Sequence, residues 1–171
     1  MTQGWTPGQL ALRCALVGGL LVALLATGLR GVWPDWWLIV LVTGLAVGFS
    51  LLPESAMGTV ATVLVLGWWG FAFRGGPYAP ALLAAAGLLV AHLAAVVASY
   101  GPHDLPLDPA TVRLWAVRGA LVFLAAPAVF AVALLLRGQP EPVGIWVAGL
   151  AAALVTTVAA GLILTRSSQE Q

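Results

Sequence analysis

Six long apolar runs fill almost all of this 171-residue chain, and three of them end in the same way. The first, third and fifth runs each stop at an arginine and a glycine, with a proline soon after: Arg30-Gly31 before Pro34, Arg74-Gly75 before Pro77, and Arg137-Gly138 before Pro140. Such an arginine extends to the membrane surface, the glycine permits a left-handed C-cap, and the proline prevents the helix from continuing. We therefore expect three helices to leave a bilayer at these points, all on one side.

Composition excludes an ordinary soluble domain. The chain is 61% hydrophobic and 8% charged, whereas soluble domains carry about 25% charged residues. So much apolar surface would aggregate in water, but lipid accepts it on every face of a helix. The predicted fold class is all-α: a polytopic integral membrane protein with six transmembrane helices arranged as three sequential helical hairpins.

The expected spans cover residues 10–29, 36–52, 57–73, 79–100, 114–136 and 143–164, within a single transmembrane domain, 1–171, that ends in a short polar tail, 165–171. About 20 helical residues cross ~30 Å of hydrocarbon, so the second and third runs lie at the lower limit for spanning. Pro53-Glu54-Ser55 separates these two short runs. This break predicts a tight turn at the membrane surface between two spans, and a re-entrant pair is the alternative.

Two helix starts carry capping signals. Thr6 is placed as an N-cap, with Pro7 at the first helical position and Gln9 at the capping-box position. Asp108-Pro109 repeats the first part of this pattern before the fifth helix.

Charge and codon usage indicate where the protein resides. An even number of spans places both termini on one side, which then carries four arginines against three opposite. The positive-inside rule favours cytoplasmic termini. The chain has no lysine or asparagine, whose codons are AT-rich, and this indicates a GC-rich bacterial genome and a plasma-membrane location. Most tryptophans fall near the Arg-Gly surface, where they are expected to anchor in the headgroup region or to form a flat surface for a partner.

Small residues recur every fourth position in two of the runs. They are Gly149, Ala153, Thr157 and Gly161 in the sixth run, and Gly44 and Gly48 in the second. Such stripes let helix backbones approach closely, within the chain or against another subunit. The expected partners are the lipid bilayer and a membrane protein or a second copy of the chain. A net charge of +1 without a basic cluster argues against nucleic acid.

Two ionisable residues lie inside the spans and are functional candidates by default. His92 lies about eight residues, or ~12 Å, from the Tyr100 end of the fourth run. A hydrogen bond to a hydroxyl on a neighbouring helix would explain it without a ligand. Arg118 is expected to extend past Trp115 toward lipid phosphates, with an anion site as the alternative. Pro127 removes a backbone hydrogen bond from the fifth helix and predicts a kink there.

No metal or other cofactor is expected. The two histidines, His92 and His103, lie in a span and a loop respectively, and Cys14 is the single cysteine, so no intramolecular disulfide can form. No expected span contains a carboxylate, which argues against a proton or sodium pump.

One loop carries a pattern known from enzymes. His103 and Asp108 are separated by four residues, and this spacing resembles that of glycerolipid acyltransferases. The resemblance would imply a lipid-modifying enzyme in which Asp108 orients His103 to deprotonate an alcohol. Asp108 is better explained as the N-cap of the fifth helix.

Short loops, few polar groups and small-residue stripes favour a non-enzymatic accessory or scaffold subunit of a membrane complex. The first alternative is a small transporter or channel for a neutral or anionic solute that uses His92, Arg118 and the kink at Pro127. The second is a membrane-embedded lipid-modifying enzyme with His103 and Asp108 as its catalytic pair.

Overall fold

A computed structural model of the chain describes residues 6–52, 55–73, 76–99 and 108–138, together with residues 144, 147, 151, 154, 155 and 158. Its helices are α1 (Pro7–Leu25), which continues as a 3₁₀ helix (Ala26–Arg30), α2 (Trp36–Leu51), α3 (Met57–Ala72), α4 (Pro80–Ser99), α5 (Pro109–Phe123) and α6 (Ala125–Leu135). These described ranges contain no strand, and the all-α prediction is confirmed for them.

Three helical stretches are long and apolar enough to cross a membrane: Pro7–Arg30, Pro80–Ser99 and Pro109–Leu135. The shorter helices α2 and α3 have 16 residues each. At ~1.5 Å per residue they extend about 24 Å, less than the ~30 Å of a typical hydrocarbon core. Membrane insertion is therefore supported by the three long stretches, and α2 and α3 fall below the usual spanning length.

Side chains cap two of the helices at their starts. The Gln9 N–H donates to Thr6 Oγ1 at 3.4 Å. The N–H groups of Ala110 and Thr111 each donate to the Asp108 carboxylate at 3.2 Å. Both predicted N-caps are confirmed, because each side-chain oxygen accepts from N–H groups that have no partner within the helix.

Glycines end the helices in the expected left-handed conformation. Gly31 caps the 3₁₀ helix with φ of 77°, and its N–H donates to the Gly28 carbonyl at 2.9 Å. Gly138 has φ of 81°. The remaining stop, Arg74-Gly75, lies outside the described residues.

Helices α1 and α4 pack backbone against backbone. Gly19 of α1 lies beside Gly87 and Ala91 of α4, and Gly87 lies beside Ala23 of α1. The contacts move from Ala91 to Gly87 on α4 as they move from Gly19 to Ala23 on α1, so the two helices are antiparallel. A Cβ on Gly19 would overlap the Gly87 carbonyl oxygen, and a Cβ on Gly87 would lie 2.6 Å from the Gly19 carbonyl oxygen. Only glycine at both positions permits this approach of two backbones.

Helices α2 and α3 follow α1 along its length. Two apolar clusters join the three helices with α4, one near the middle of α1 and one near its C-terminal end. The first cluster contains Leu16, Leu20, Ala46, Ala61, Ala91, Ala94 and Ala95, and the second contains Ala23, Leu24, Ala26, Leu38, Val42, Val65 and Ala84.

Consecutive helices do not all pair. The pairs α1–α2 and α2–α3 pack together, but α3 and α4 make little direct contact although they are neighbours in sequence. Both lie against α1, and the most extensive interface in the described chain is α1–α4. The packing therefore differs from a simple series of tight hairpins.

The helix from Pro109 to Leu135 is interrupted at Leu124. Pro127 has no N–H to offer the carbonyl of Phe123, so the α-helical hydrogen-bond pattern is broken there. The Leu124 N–H is shared between the carbonyls of Ala120 at 3.3 Å and Leu121 at 3.2 Å. This interruption lies three residues before the proline for which a kink was expected.

The chain divides into two units, residues 1–137 and 138–171. In the second unit, five of the described residues are helical: Val147, Ala151, Leu154, Val155 and Val158. Most of the expected sixth span, 143–164, and all of the expected tail, 165–171, lie outside the described residues.

Candidate functional site

A groove of about 780 Å³ runs between α3 and α4. It exists because both helices pack on α1 and not on each other. Leu20 of α1 lines the groove between them, and Ala91 and Ala95 of α4 keep it wide because their side chains are short.

Polar side chains line this groove from both helices. Ser55, Thr59 and Thr62 come from the start of α3 and its preceding turn, and His92 and Ser99 come from α4. The His92 side chain is exposed, and it makes no hydrogen bond within the part of the chain that the structure describes. The groove therefore presents an imidazole and several hydroxyl groups along otherwise apolar walls.

The hydroxyl groups in this groove differ in their hydrogen-bond partners. Thr62 Oγ1 donates to the Gly58 carbonyl at 2.9 Å, and Ser99 Oγ donates to the Val96 carbonyl at 2.8 Å, so both retain lone pairs that can accept. Ser55 Oγ is buried and has no hydrogen-bond partner among the described residues. The lining can therefore hydrogen-bond a small polar molecule without offering it a permanent charge.

Arg118 lies on α5 and lines none of the described grooves. Its side chain is exposed, and its guanidinium carbon lies 5.8 Å from the centroid of the Trp115 ring. Helical side chains tilt toward the helix N-terminus, so Arg118 extends back toward Trp115 and the start of α5. Pro127 also lies outside the groove that holds His92, so these three candidates do not share a cavity in the described chain.

Two buried polar residues of α1 were not identified from the sequence. Gln9 is 2% exposed and Arg13 is 5% exposed. They continue the buried face of α1 that includes Leu16 and Leu20, at the helical spacing of four and three residues. That spacing was available in the sequence, but Arg13 was counted only as one of the four arginines on the side of the termini.

The small-residue positions have different surroundings. Gly44 is exposed, and a Cβ added there would meet nothing within 4 Å. Gly48 lies against the Met57 side chain of α3. The contact between two glycine backbones, Gly19 with Gly87, was not selected from the sequence. The stripe at Gly149, Ala153, Thr157 and Gly161 lies outside the described residues.

Tryptophans of α3 attach it to the C-terminal end of α1. The Trp69 indole N–H donates to the Ala23 carbonyl at 2.9 Å. The Trp68 indole N–H donates to Thr27 Oγ1 at 3.2 Å, and the Thr27 hydroxyl donates to the Leu24 carbonyl at 3.1 Å. Since α1 changes to a 3₁₀ helix after residue 25, the Ala23 carbonyl is available to the indole.

Two of the three Arg-Gly stops lie beside one short segment. The Arg30 guanidinium carbon lies 4.7 Å from the centroid of the Tyr78 ring. Arg137 Nε lies 3.7 Å from the position that a Cβ would take on Gly76. Arg30 and Arg137 therefore lie at the same end of the first unit.

Asp108 acts as a helix cap. Besides the two backbone N–H groups, its carboxylate accepts the Thr111 hydroxyl at 3.0 Å. The backbone hydrogen bond from Ala110, and then the side-chain bond from Thr111, hold the pKa of Asp108 below its ordinary value. His103, its suggested catalytic partner, lies outside the described residues.

The described residues contain no group of three or more His, Cys, Asp or Glu side chains that could hold a metal ion. The groove with His92 combines an imidazole with several hydroxyl groups, and the buried residues Gln9 and Arg13 are a separate feature of α1. Comparison of the chain with family models, with curated proteins and with solved structures finds no match in any of the three.

Proposed function

We propose that this chain is an integral protein of the bacterial plasma membrane that crosses the bilayer six times, threaded as three successive hairpins in which the two helices of the middle hairpin, α3 and α4, make little direct contact. The antiparallel arrangement of α1 and α4 supports this count. If both helices span, the chain between them crosses an even number of times, so α2 and α3 either both cross or both do not. Their packing along the length of α1 favours two spans over a re-entrant pair.

The proposed orientation places both termini in the cytoplasm. Arg30 and Arg137, beside residues 76–78, would then mark the outer surface. Four arginines on the terminal side against three opposite favour this direction under the positive-inside rule. The bacterial origin is inferred from the absence of lysine and asparagine.

Within this membrane frame, the protein acts as a non-enzymatic accessory or scaffold subunit that binds a membrane-protein partner through its α5–α6 helix. The observation that supports this role is the low burial of that helix. In the most apolar stretch of this helix, only 6% of the residues are buried, against 44% for Pro7–Arg30 and 39% for Pro80–Ser99. Exposed small residues on α6 and at its start, Ala125, Ala128 and Ala131, would let a partner helix approach closely.

Photocrosslinking tests this role. A photoreactive amino acid at Ala128 should give a discrete adduct with another membrane protein in cells. The same group at Val40, an exposed residue of α2, is the matched control and should give lipid adducts only. A solitary particle after purification in mild detergent, together with lipid adducts alone from Ala128, would remove the proposal.

A second candidate function is a transporter or channel for a small neutral or anionic solute. The groove that holds His92 and the hydroxyls of α3 favours it. Flux of glycerol into vesicles tests transport of a neutral solute, and flux of chloride tests transport of an anion. The flux with His92→Ala is compared with the flux with His92→Gln, because glutamine retains hydrogen bonding at this position. If flux of both solutes is equal with and without the protein, this candidate is dropped.

A further inference from the structure

A second groove, of about 420 Å³, lies between α4 and α5 and is lined almost entirely by apolar side chains. On α5 it extends from Val112 to Phe123. These eleven residue steps correspond to about 16 Å at the helical rise, roughly half of a ~30 Å hydrocarbon core. The groove therefore has the depth of one lipid leaflet, on the side of the membrane where α5 begins.

The groove stays open because α5 touches α4 through a narrow contact. A Cβ on Gly119 would overlap the Leu93 side chain, so the two helices pack closely at this point. Gly119 is the only buried residue of α5, all of which the structure describes. Leu12 and Ala15 of α1 also line the groove.

A cationic side chain stands beside the open edge of the groove. Trp115 lines the groove, and the Arg118 guanidinium lies over the face of its ring. Arg113 is also exposed on the first turns of the helix. Among the described residues at this end of α5, the acidic group is the Asp108 carboxylate, and its oxygens already accept from Ala110 and Thr111.

We propose that this groove binds a phospholipid with an anionic headgroup, with one acyl chain along α5 and the phosphate at Arg118. A guanidinium remains charged and offers several donors in the planar arrangement that matches a phosphate. The Arg118 side chain extends toward the headgroup region, the depth at which a phosphate lies. Charge and depth therefore agree with a lipid whose chain occupies the apolar walls.

The volume of the groove fits a lipid chain better than a partner helix seated fully within it. A helix with its side chains is ~10–12 Å across, so a 16 Å length of it occupies on the order of 1,300 Å³. That is about three times the volume of the groove. A single hydrocarbon chain is thin enough to enter, and the proposal is independent of the partner surface on α6.

Quenching of tryptophan fluorescence tests the proposal on the full chain in detergent micelles. The probes are phosphatidylglycerol and phosphatidylcholine with brominated acyl chains. The Trp115 signal is taken as the difference between the native protein and Trp115→Phe. Phosphatidylglycerol should quench this signal at about tenfold lower concentration, because phosphatidylcholine has the same phosphate but its choline cation cancels the net charge that Arg118 would attract.

Two variants with the same charge change locate the phosphate. Arg118→Gln should bring the two lipids close to equal quenching, whereas Arg113→Gln should retain most of the preference. Ala116→Phe, which fills the groove, should weaken quenching by both lipids, and Val40→Phe at an exposed position of α2 should not. Equal quenching by the two lipids in the native protein would indicate ordinary lipid contact and overturn the proposal, as would equal losses in the two arginine variants.

Discussion

Gly19 of α1 and Gly87 of α4 face each other where two helix backbones come closest, and the carbonyl oxygen of each lies near the Cα of the other. Contacts of this kind between Cα–H groups and carbonyl oxygens recur where helices pack closely. In lipid, where apolar side chains gain little by leaving the solvent, such close packing is a main source of helix association. The α1–α4 pair is therefore expected to stabilise the first unit more than any other interface in the described chain.

Replacing Gly19 by alanine should destabilise the protein by about 1–3 kcal/mol, because the added methyl group overlaps the Gly87 carbonyl oxygen. Gly44→Ala is the control. Its added methyl group meets nothing, and the higher helix propensity of alanine should stabilise α2 by up to about 1 kcal/mol. Unfolding by SDS titration in mixed micelles measures both, and shifts of the same sign would contradict the assigned packing.

Trp69→Phe should lower stability by roughly 1 kcal/mol, because it removes the indole N–H that donates to the Ala23 carbonyl. Trp36→Phe makes the same chemical change at a side chain that is 77% exposed, and its effect should be much smaller. The same SDS titration compares them. Equal losses would mean that the bond between α3 and α1 contributes nothing specific.

The cap at Asp108 should titrate below the ordinary carboxyl pKa of 3.8. Because the folded-state pKa is lowered, the cap stabilises the start of α5 fully above pH 3.8, and this contribution is lost as pH falls through the folded-state value. The Thr111 amide proton shift, followed by NMR, should move with a midpoint below 3.8. Asp108→Asn should abolish this titration, and a midpoint at or above 3.8 would contradict the cap.

Single cysteines test the proposed threading, in a Cys14→Ser background. Asp35 and Ala79 are exposed residues near the Arg30 end, and Ala110 is an exposed residue at the start of α5. Asp35→Cys and Ala79→Cys should react with an impermeant maleimide from one compartment, and Ala110→Cys from the other. Labelling of positions 35 and 79 from opposite compartments would exclude the proposed arrangement of spans.

Local features of the fold could be predicted from the sequence. Thr6, Asp108 and Gly31 act on groups within a few residues of themselves, so the identity of each side chain and its neighbours was sufficient to place a cap. The interruption at Leu124 follows equally directly from the missing N–H of Pro127.

Pairing between distant helices could not be predicted in the same way. With 20 glycines in the chain, nothing local distinguishes Gly19 and Gly87, which meet across a separation of 68 positions, from Gly44, which meets nothing. The groove around His92 depends on the same pairing, because it forms only where α3 and α4 lie apart on α1. His92 was selected from its depth in a span, and its hydroxyl neighbours became identifiable only with the helices in place.

The 16-residue lengths of α2 and α3 have a consequence for the surrounding lipid. In the proposed threading, one side of the protein presents two apolar helices several ångströms shorter than the bilayer is thick, next to the longer α1 and α4. Hydrophobic mismatch of this kind makes the bilayer thin locally or draws the flanking residues inward, at a modest energetic cost for each ångström. Such a protein concentrates in thinner regions of its membrane and attracts other proteins that deform the bilayer in the same way.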